Sequence, residues 1–175
     1  MKLERKFAQG ETCVTLEEGA RIAGYASWFG VEDTGRDVVE PGAYHDSLAR
    51  MAVEGRRVRM LWQHDPAQVI GVWDEVREDA RGLFVKGRLL PGVEKAREAA
   101  ELIGAGALDG LSIGYTVRRA GKDGQGRRLL KELELWEVSL VTFPMLPSAR
   151  VGAKADPMRD MARAITAARL ELARD

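Results

Sequence analysis

The sequence predicts a mainly β (α+β) chain: a small antiparallel β-barrel of about six or seven strands, with inserted helices and a C-terminal helix. Three observations predict it. Short runs rich in β-branched and aromatic residues recur along the chain, separated by Gly, Pro and Asp turn signals. Helical periodicity is confined to two interior stretches and the last twenty or so residues. That many strands in 175 residues favour closure, because closure removes exposed edges.

The first predicted strand is RIAGYASWF at 21–29, followed by Gly30. After Pro41, Tyr44, Leu48 and Met51 recur at spacings of 4 and 3 before Gly55, the pattern of a short amphipathic helix with a glycine stop. In RVRMLWQH, Val58, Met60 and Trp62 alternate with Arg57, Arg59 and Leu61, which predicts a half-buried strand ending at His64. Residues 69–78 and 82–90 form a predicted hairpin around EDARG. Beyond Pro91-Gly92, Val93, Ala96, Ala100 and Ile103 make the stripe of a second helix, with Gly104 and Gly106 at its end. LSIGYTVRR is a strand, GKDGQG a turn, and RLLKELELWEVSLVTF a long strand ending at Pro144.

Residues 1–145 therefore read as the barrel domain, and 146–175 as a linker with an amphipathic helix. Asp156 and Pro157 suit the first turn of that helix, and Met158, Met161, Ile165, Ala168 and Leu172 give it an apolar seam. The seam packs either on its own barrel or against a second copy, as a homodimer contact.

Composition excludes several classes. Apolar residues at 45% and charged residues at 31% belong to a globular protein rather than a disordered one. Lys plus Arg number 27 and balance 27 Asp plus Glu, so no generally basic nucleic-acid coat is expected. A single cysteine, Cys13, cannot form an internal disulfide and points to a reducing compartment. MKLERKFAQGET has no apolar run, so no signal peptide is read, and no stretch of 18 apolar residues suggests a membrane span.

Histidine is scarce: His45 and His64. His45 lies about 100° round from the apolar stripe of its helix, as a solvated residue would. His64, at a strand end beside Pro66, is better placed to be aimed at a neighbour. Ser112 in GLSIGY shares one strand face with Gly114 and Thr116, and the glycine would leave space for a substrate chain. A serine nucleophile needs a base, and His64 is the better candidate. Glu137 falls in a row with Leu135, Ser139 and Val141, where a buried carboxylate needs a partner: a histidine ring nitrogen or an arginine across the barrel. Asp109, near Ser112, is its main rival as the acid. Two histidines and one cysteine leave almost no zinc-ligand combination, Cys13 lacks the setting of a nucleophile, and GKDGQG lacks the strand-loop-helix context of a phosphate loop. Neither metal nor cofactor is expected.

Five strings follow in order across residues 22–149: IAGYASWFG, VEPGAYHDSL, RMLWQHDPAQVIG, LDGLSIGY and LWEVSLVTFPMLPSA. In these the chain resembles the HK97-like phage prohead maturation proteases, which are distantly similar to herpesvirus assemblin. The resemblance implies a serine endopeptidase working in the host cytoplasm inside the immature capsid. Its substrate would be the scaffold segment of the major capsid protein, in a phage, prophage or gene-transfer-agent setting. It places the histidine motif on His64, the serine motif on Ser112 and the acid on Glu137. A non-catalytic capsid-assembly or scaffold-binding module on the same barrel is the alternative. A small-molecule esterase would need the G-x-S-x-G elbow between strand and helix, and that context is missing.

Overall fold

The structure, a computed structural model, describes residues 20–142 except Thr34, with the short strand segments 4–6, 12–13 and 149–150. Seven strands and two helices occupy the continuous part: β3 (Arg21–Trp28), β4 (Asp37–Val39), α1 (His45–Glu54), β5 (Arg59–Trp62), β6 (Asp65–Glu78), β7 (Gly82–Leu89), α2 (Glu94–Gly104), β8 (Gly110–Lys122) and β9 (Arg128–Val141). Three short pieces flank them, β1 (Glu4–Lys6), β2 (Thr12–Cys13) and β10 (Ala149–Arg150). The C-terminal helix expected after Pro157 lies outside the described residues, as does most of the stretch read as a linker. Within that stretch, Arg150 of β10 pairs with Gly110 of β8.

Mainly β is what the sequence predicts; a closed antiparallel barrel is not what forms. The sheet runs β2-β10-β8-β9-β5-β6-β7-β3, with β1 paired to β8 and β4 to β9. It curls, but among the described residues no ladder joins β3 to β2, so it stays open. It is also mixed, since β4 and β5 pair parallel with β9 and β2 pairs parallel with β10. Both parallel partners lie along the same edge of β9. β4 lies along Arg128–Leu130 of β9 and β5 along Glu137–Leu140, and α1 carries the chain between them in one direction. β5 reaches β9 only through β6, β7, α2 and β8, the kind of long connection that parallel neighbours require, and alternation within a strand carries no sign of it.

The start of α1 also completes the edge of β9 that the two short strands leave open. The Leu133 N–H donates to the Ala43 carbonyl at 2.8 Å, and the Leu135 N–H donates to the fully buried Ser47 hydroxyl at 2.9 Å. Gly55 closes α1 at φ 66°, the left-handed conformation its position in the sequence suggested. Inside the curl, Ile22, Met60, Val85, Ile113, Tyr115 and Val138 are fully buried or nearly so. The second helix buries Ala96, Ala99 and Ile103, and Val93 and Ala100 of the predicted stripe pack half-buried against the same core. No helix among the described residues is long and apolar enough to cross a membrane.

Candidate active site

The site lies where β8, β9 and the β5–β6 turn meet. Trp62 pairs with Asp65, so Gln63 and His64 are the two central residues of a hairpin turn rather than the end of a strand. Both have positive φ, 51° and 62°, as a tight I′-type hairpin turn demands. Asn-Gly normally fills such a turn; a non-glycine residue held there costs about 1–3 kcal/mol and persists only when its surroundings hold it. Here β9 holds it. The Gln63 N–H donates to the Leu140 carbonyl at 2.9 Å, the His64 N–H donates to Ser139 Oγ at 3.1 Å, and the Gln63 amide donates to Thr142 Oγ1 at 2.5 Å. The register then slips, so Pro66–Gln68 bulge away from β5.

On β8, Leu111, Ile113 and Tyr115 face the core, which turns Ser112, Gly114 and Thr116 to the other side. Ser112 is nevertheless fully buried. It stands opposite Ser139 of β9, and Gly114 stands opposite Glu137. Tyr115 then pairs with Leu135, leaving Trp136 as a bulge residue. That bulge moves Leu135 to the core side with Val138 and Leu140, so Leu135 does not share the row of Glu137 and Ser139 as simple alternation had it.

Gly114 makes room, but not for a substrate. A Cβ there would lie 2.1 Å from Glu137 Oε1, so the missing side chain is the space that the carboxylate occupies.

The three sequence-selected residues form one line. Ser112 Oγ lies 2.6 Å from His64 Nε2, and His64 Nδ1 lies 2.5 Å from Glu137 Oε1. His64 is 8% exposed and Glu137 3%. An ionised carboxylate can only accept, so Nδ1 carries the ring proton and donates it to Glu137. Nε2 is then left as an acceptor for the Ser112 hydroxyl. In this tautomer the imidazole can take the hydroxyl proton as an attack begins, and the carboxylate can balance the resulting charge.

The rest of the sequence's candidates fall elsewhere. His45 is exposed at the start of α1. Asp109 is half-buried just before β8, while Nδ1 of His64 is held by Glu137. The letters Gly110-Leu-Ser-Ile-Gly114 fit G-x-S-x-G, yet they sit inside β8 with no helix following. Among the described residues no group of three His, Cys, Asp or Glu could hold a metal ion.

Sequence reasoning passed over Ser139. Its hydroxyl donates to Glu137 Oε2 at 2.6 Å and accepts the His64 backbone N–H. Its place two residues beyond Glu137 in one strand was the available signal.

A hydroxyl, an imidazole and a carboxylate joined in one hydrogen-bonded line is the geometry that defines the serine hydrolases, a class found on several unrelated folds. The family is narrower. Residues 10–164 match the caudovirus prohead serine proteases, and the chain belongs to that family. Over 136 residues it is 34% identical to the prohead protease of Enterobacteria phage HK97, covering 74% of this chain and 58% of that protein, so it spans less than two thirds of that relative's length. The capsid assembly protease of bacteriophage T4 has the same fold, with a TM-score of 0.64 at 15% identity over 80% of this chain and 97% of that one. The varicella-zoster virus protease gives a TM-score of 0.39 at 12% identity, over 72% of this chain and 59% of that one.

Proposed function

We propose that this chain is a serine endopeptidase of capsid maturation, with Ser112 as nucleophile, His64 as general base and acid, and Glu137 as the residue that orients and balances His64. The observation that carries the reading is the continuous Ser112–His64–Glu137 line, in a chain of the prohead serine protease family. Ser112 Oγ attacks the scissile carbonyl carbon while its proton passes to His64 Nε2. The imidazolium donates from Nδ1 to Glu137. As the tetrahedral intermediate collapses, the Nε2 proton leaves with the departing amine and an acyl-serine remains. Water then repeats the sequence, giving up a proton to Nε2, attacking the ester and freeing Ser112.

The substrate is the scaffold segment of the major capsid protein. The place of action is the interior of the immature capsid in the bacterial host cytoplasm, as the names of the HK97 and T4 relatives suggest. A homodimer through the segment after Pro157 belongs to the same proposal, on the strength of its apolar seam. The deciding experiment is co-expression with the capsid protein, with the processed N-terminus read by mass spectrometry. Wild type is expected to remove the segment, and Ser112→Ala to fold and leave it intact. Full processing by Ser112→Ala would overturn the assignment.

A further inference from the structure

We infer that Ser139 is a positioning residue of this site: its single hydroxyl locks the carboxylate of Glu137 and the backbone of His64 into one geometry. The inference rests on the proposed Ser112–His64–Glu137 function and adds a residue to it. Ser139 is fully buried, directly across the ladder from Ser112, so it is not a solvated surface hydroxyl. Its hydrogen bonds account for it completely as a fixed element. It accepts the His64 N–H at 3.1 Å, so its own proton points elsewhere, and Glu137 Oε2 receives it at 2.6 Å. The free ring nitrogen of His64 faces Ser112 and not Ser139, so the base serves Ser112 while Ser139 holds the carboxylate behind it.

The arrangement has a purpose that packing alone does not explain. Glu137 reaches its place through three side-chain torsions, and one hydrogen bond to His64 would leave the carboxylate free to rotate about that contact. Oε1 on His64 and Oε2 on Ser139 together fix its plane. His64 sits at φ 62°, and its N–H has left the β5–β6 ladder for the turn, where Ser139 supplies the acceptor. One side chain on β9 therefore ties the acid to the base from behind, and losing it frees both together. Orientation of this kind acts on the chemical step more than on substrate binding.

The test compares wild type, Ser112→Ala, Ser139→Ala and Ser139→Cys on one capsid-derived peptide, alongside NMR of the ¹⁵N-labelled imidazole of His64 in the resting protein. The chain has two histidines, so the signals are few. Cys is close to Ser in volume and a poor hydrogen-bond partner, so it keeps the site filled and carries the test if the alanine variant does not fold. Both Ser139 variants are expected to lower kcat by about ten- to a hundredfold, with KM changed by less than about threefold. The downfield Nδ1 proton of His64 should weaken or disappear in both. Wild-type kcat with an unchanged Nδ1 signal in either folded variant would overturn the positioning role. So would full activity in Ser139→Cys, which would reduce Ser139 to packing volume. Activity retained by Ser112→Ala would instead overturn the proposed function, whatever the Ser139 variants do.

Discussion

Glu134 and Glu137 are two buried glutamates on one strand, with side chains 2% and 5% exposed, and they meet opposite partners. A spacing of three should put them on opposite sides of β9. The bulge at Trp136 brings them to the same side, with Glu134 across from Thr116 and Glu137 across from Gly114. Glu134 is gripped by guanidinium groups: Arg50 at 2.6 Å, Arg56 at 3.2 Å and Arg118 at 3.4 Å. Those partners are charged at every accessible pH, and their forks saturate the carboxylate. Glu137 has an imidazole and a hydroxyl instead, and the imidazole keeps its second nitrogen for Ser112. The difference is instructive: a carboxylate closed off by fixed charge can only hold structure, whereas one facing a titratable ring can take part in proton transfer.

The sharpest way to break this comparison is to remove each charge with the smallest change of shape. Glu137→Gln should leave stability within about 1 kcal/mol. It should lower kcat/KM on a capsid-derived peptide by about 10³–10⁴-fold, because an amide favours the wrong ring tautomer and cannot balance an imidazolium. Asp109→Asn, measured beside it, should stay within about threefold of wild type. A large loss for Asp109→Asn with near-normal Glu137→Gln would move the acid to Asp109.

Gly114→Ala should come next. The new Cβ would occupy the position of Glu137 Oε1 and push the carboxylate off the ring while leaving its charge in place. An activity loss of about a hundredfold is expected, smaller than for Glu137→Gln, since misplacement by about 1 Å costs on that order. Wild-type activity in Gly114→Ala would show that the carboxylate has another workable position.

Glu134→Gln should reverse the pattern. It leaves Arg50, Arg56 and Arg118 clustered without their anion, and α1 less firmly joined to β9. The arginine side chains are 36–53% exposed and can turn to water, so the expected destabilisation is about 2 kcal/mol rather than the larger cost of an isolated buried charge. Urea midpoints would read it, and kcat/KM per folded molecule should remain within about threefold of wild type. A catalytic loss as large as that of Glu137→Gln would merge the two clusters into one functional unit.

Much of this was open to a reader of the sequence, and the failures have identifiable causes. β3, the strands from β5 to β9 and both helices follow from β-rich runs, periodicity and glycine stops. β4 has three residues, too few to show a period. The parallel pairing of β4 and β5 with β9 depends on how distant parts of the chain come together, which alternation cannot register. Ser112, His64 and Glu137 were selected from motif order and from the rarity of histidine, and the structure brings their side chains together. Gly114 was legible as a place where something approaches closely, but not as the seat of a carboxylate. Glu134 depends on the bulge at Trp136 and on arginines from other elements, which leave no local trace; Ser139 showed only as a hydroxyl two residues beyond Glu137, and its tie to the positive-φ turn at Gln63-His64 did not show.

The smallest expected effect separates the two glutamates by their response to acid. Burial pushes the Glu134 carboxyl up, but hydrogen bonds from Arg50 and Arg56, with the charges of Arg50 and Arg118, outweigh it and hold the group below its ordinary value. The unfolded chain therefore takes up this proton at a higher pH than the folded one. The contribution of Glu134 is complete above the unfolded glutamate value of about 4.3 and drains away as pH falls through it toward the lower folded value. Exposed arginine partners screen the interaction, so the part lost should be below about 1 kcal/mol and should shrink as salt is added. Urea midpoints from pH 6 down to about pH 3 should thus fall more steeply in wild type than in Glu134→Gln, so that the gap between the two curves narrows toward the acid end. Parallel curves across that range would mean that the three arginines do not hold Glu134 ionised, and the contrast with Glu137 would lose its electrostatic basis.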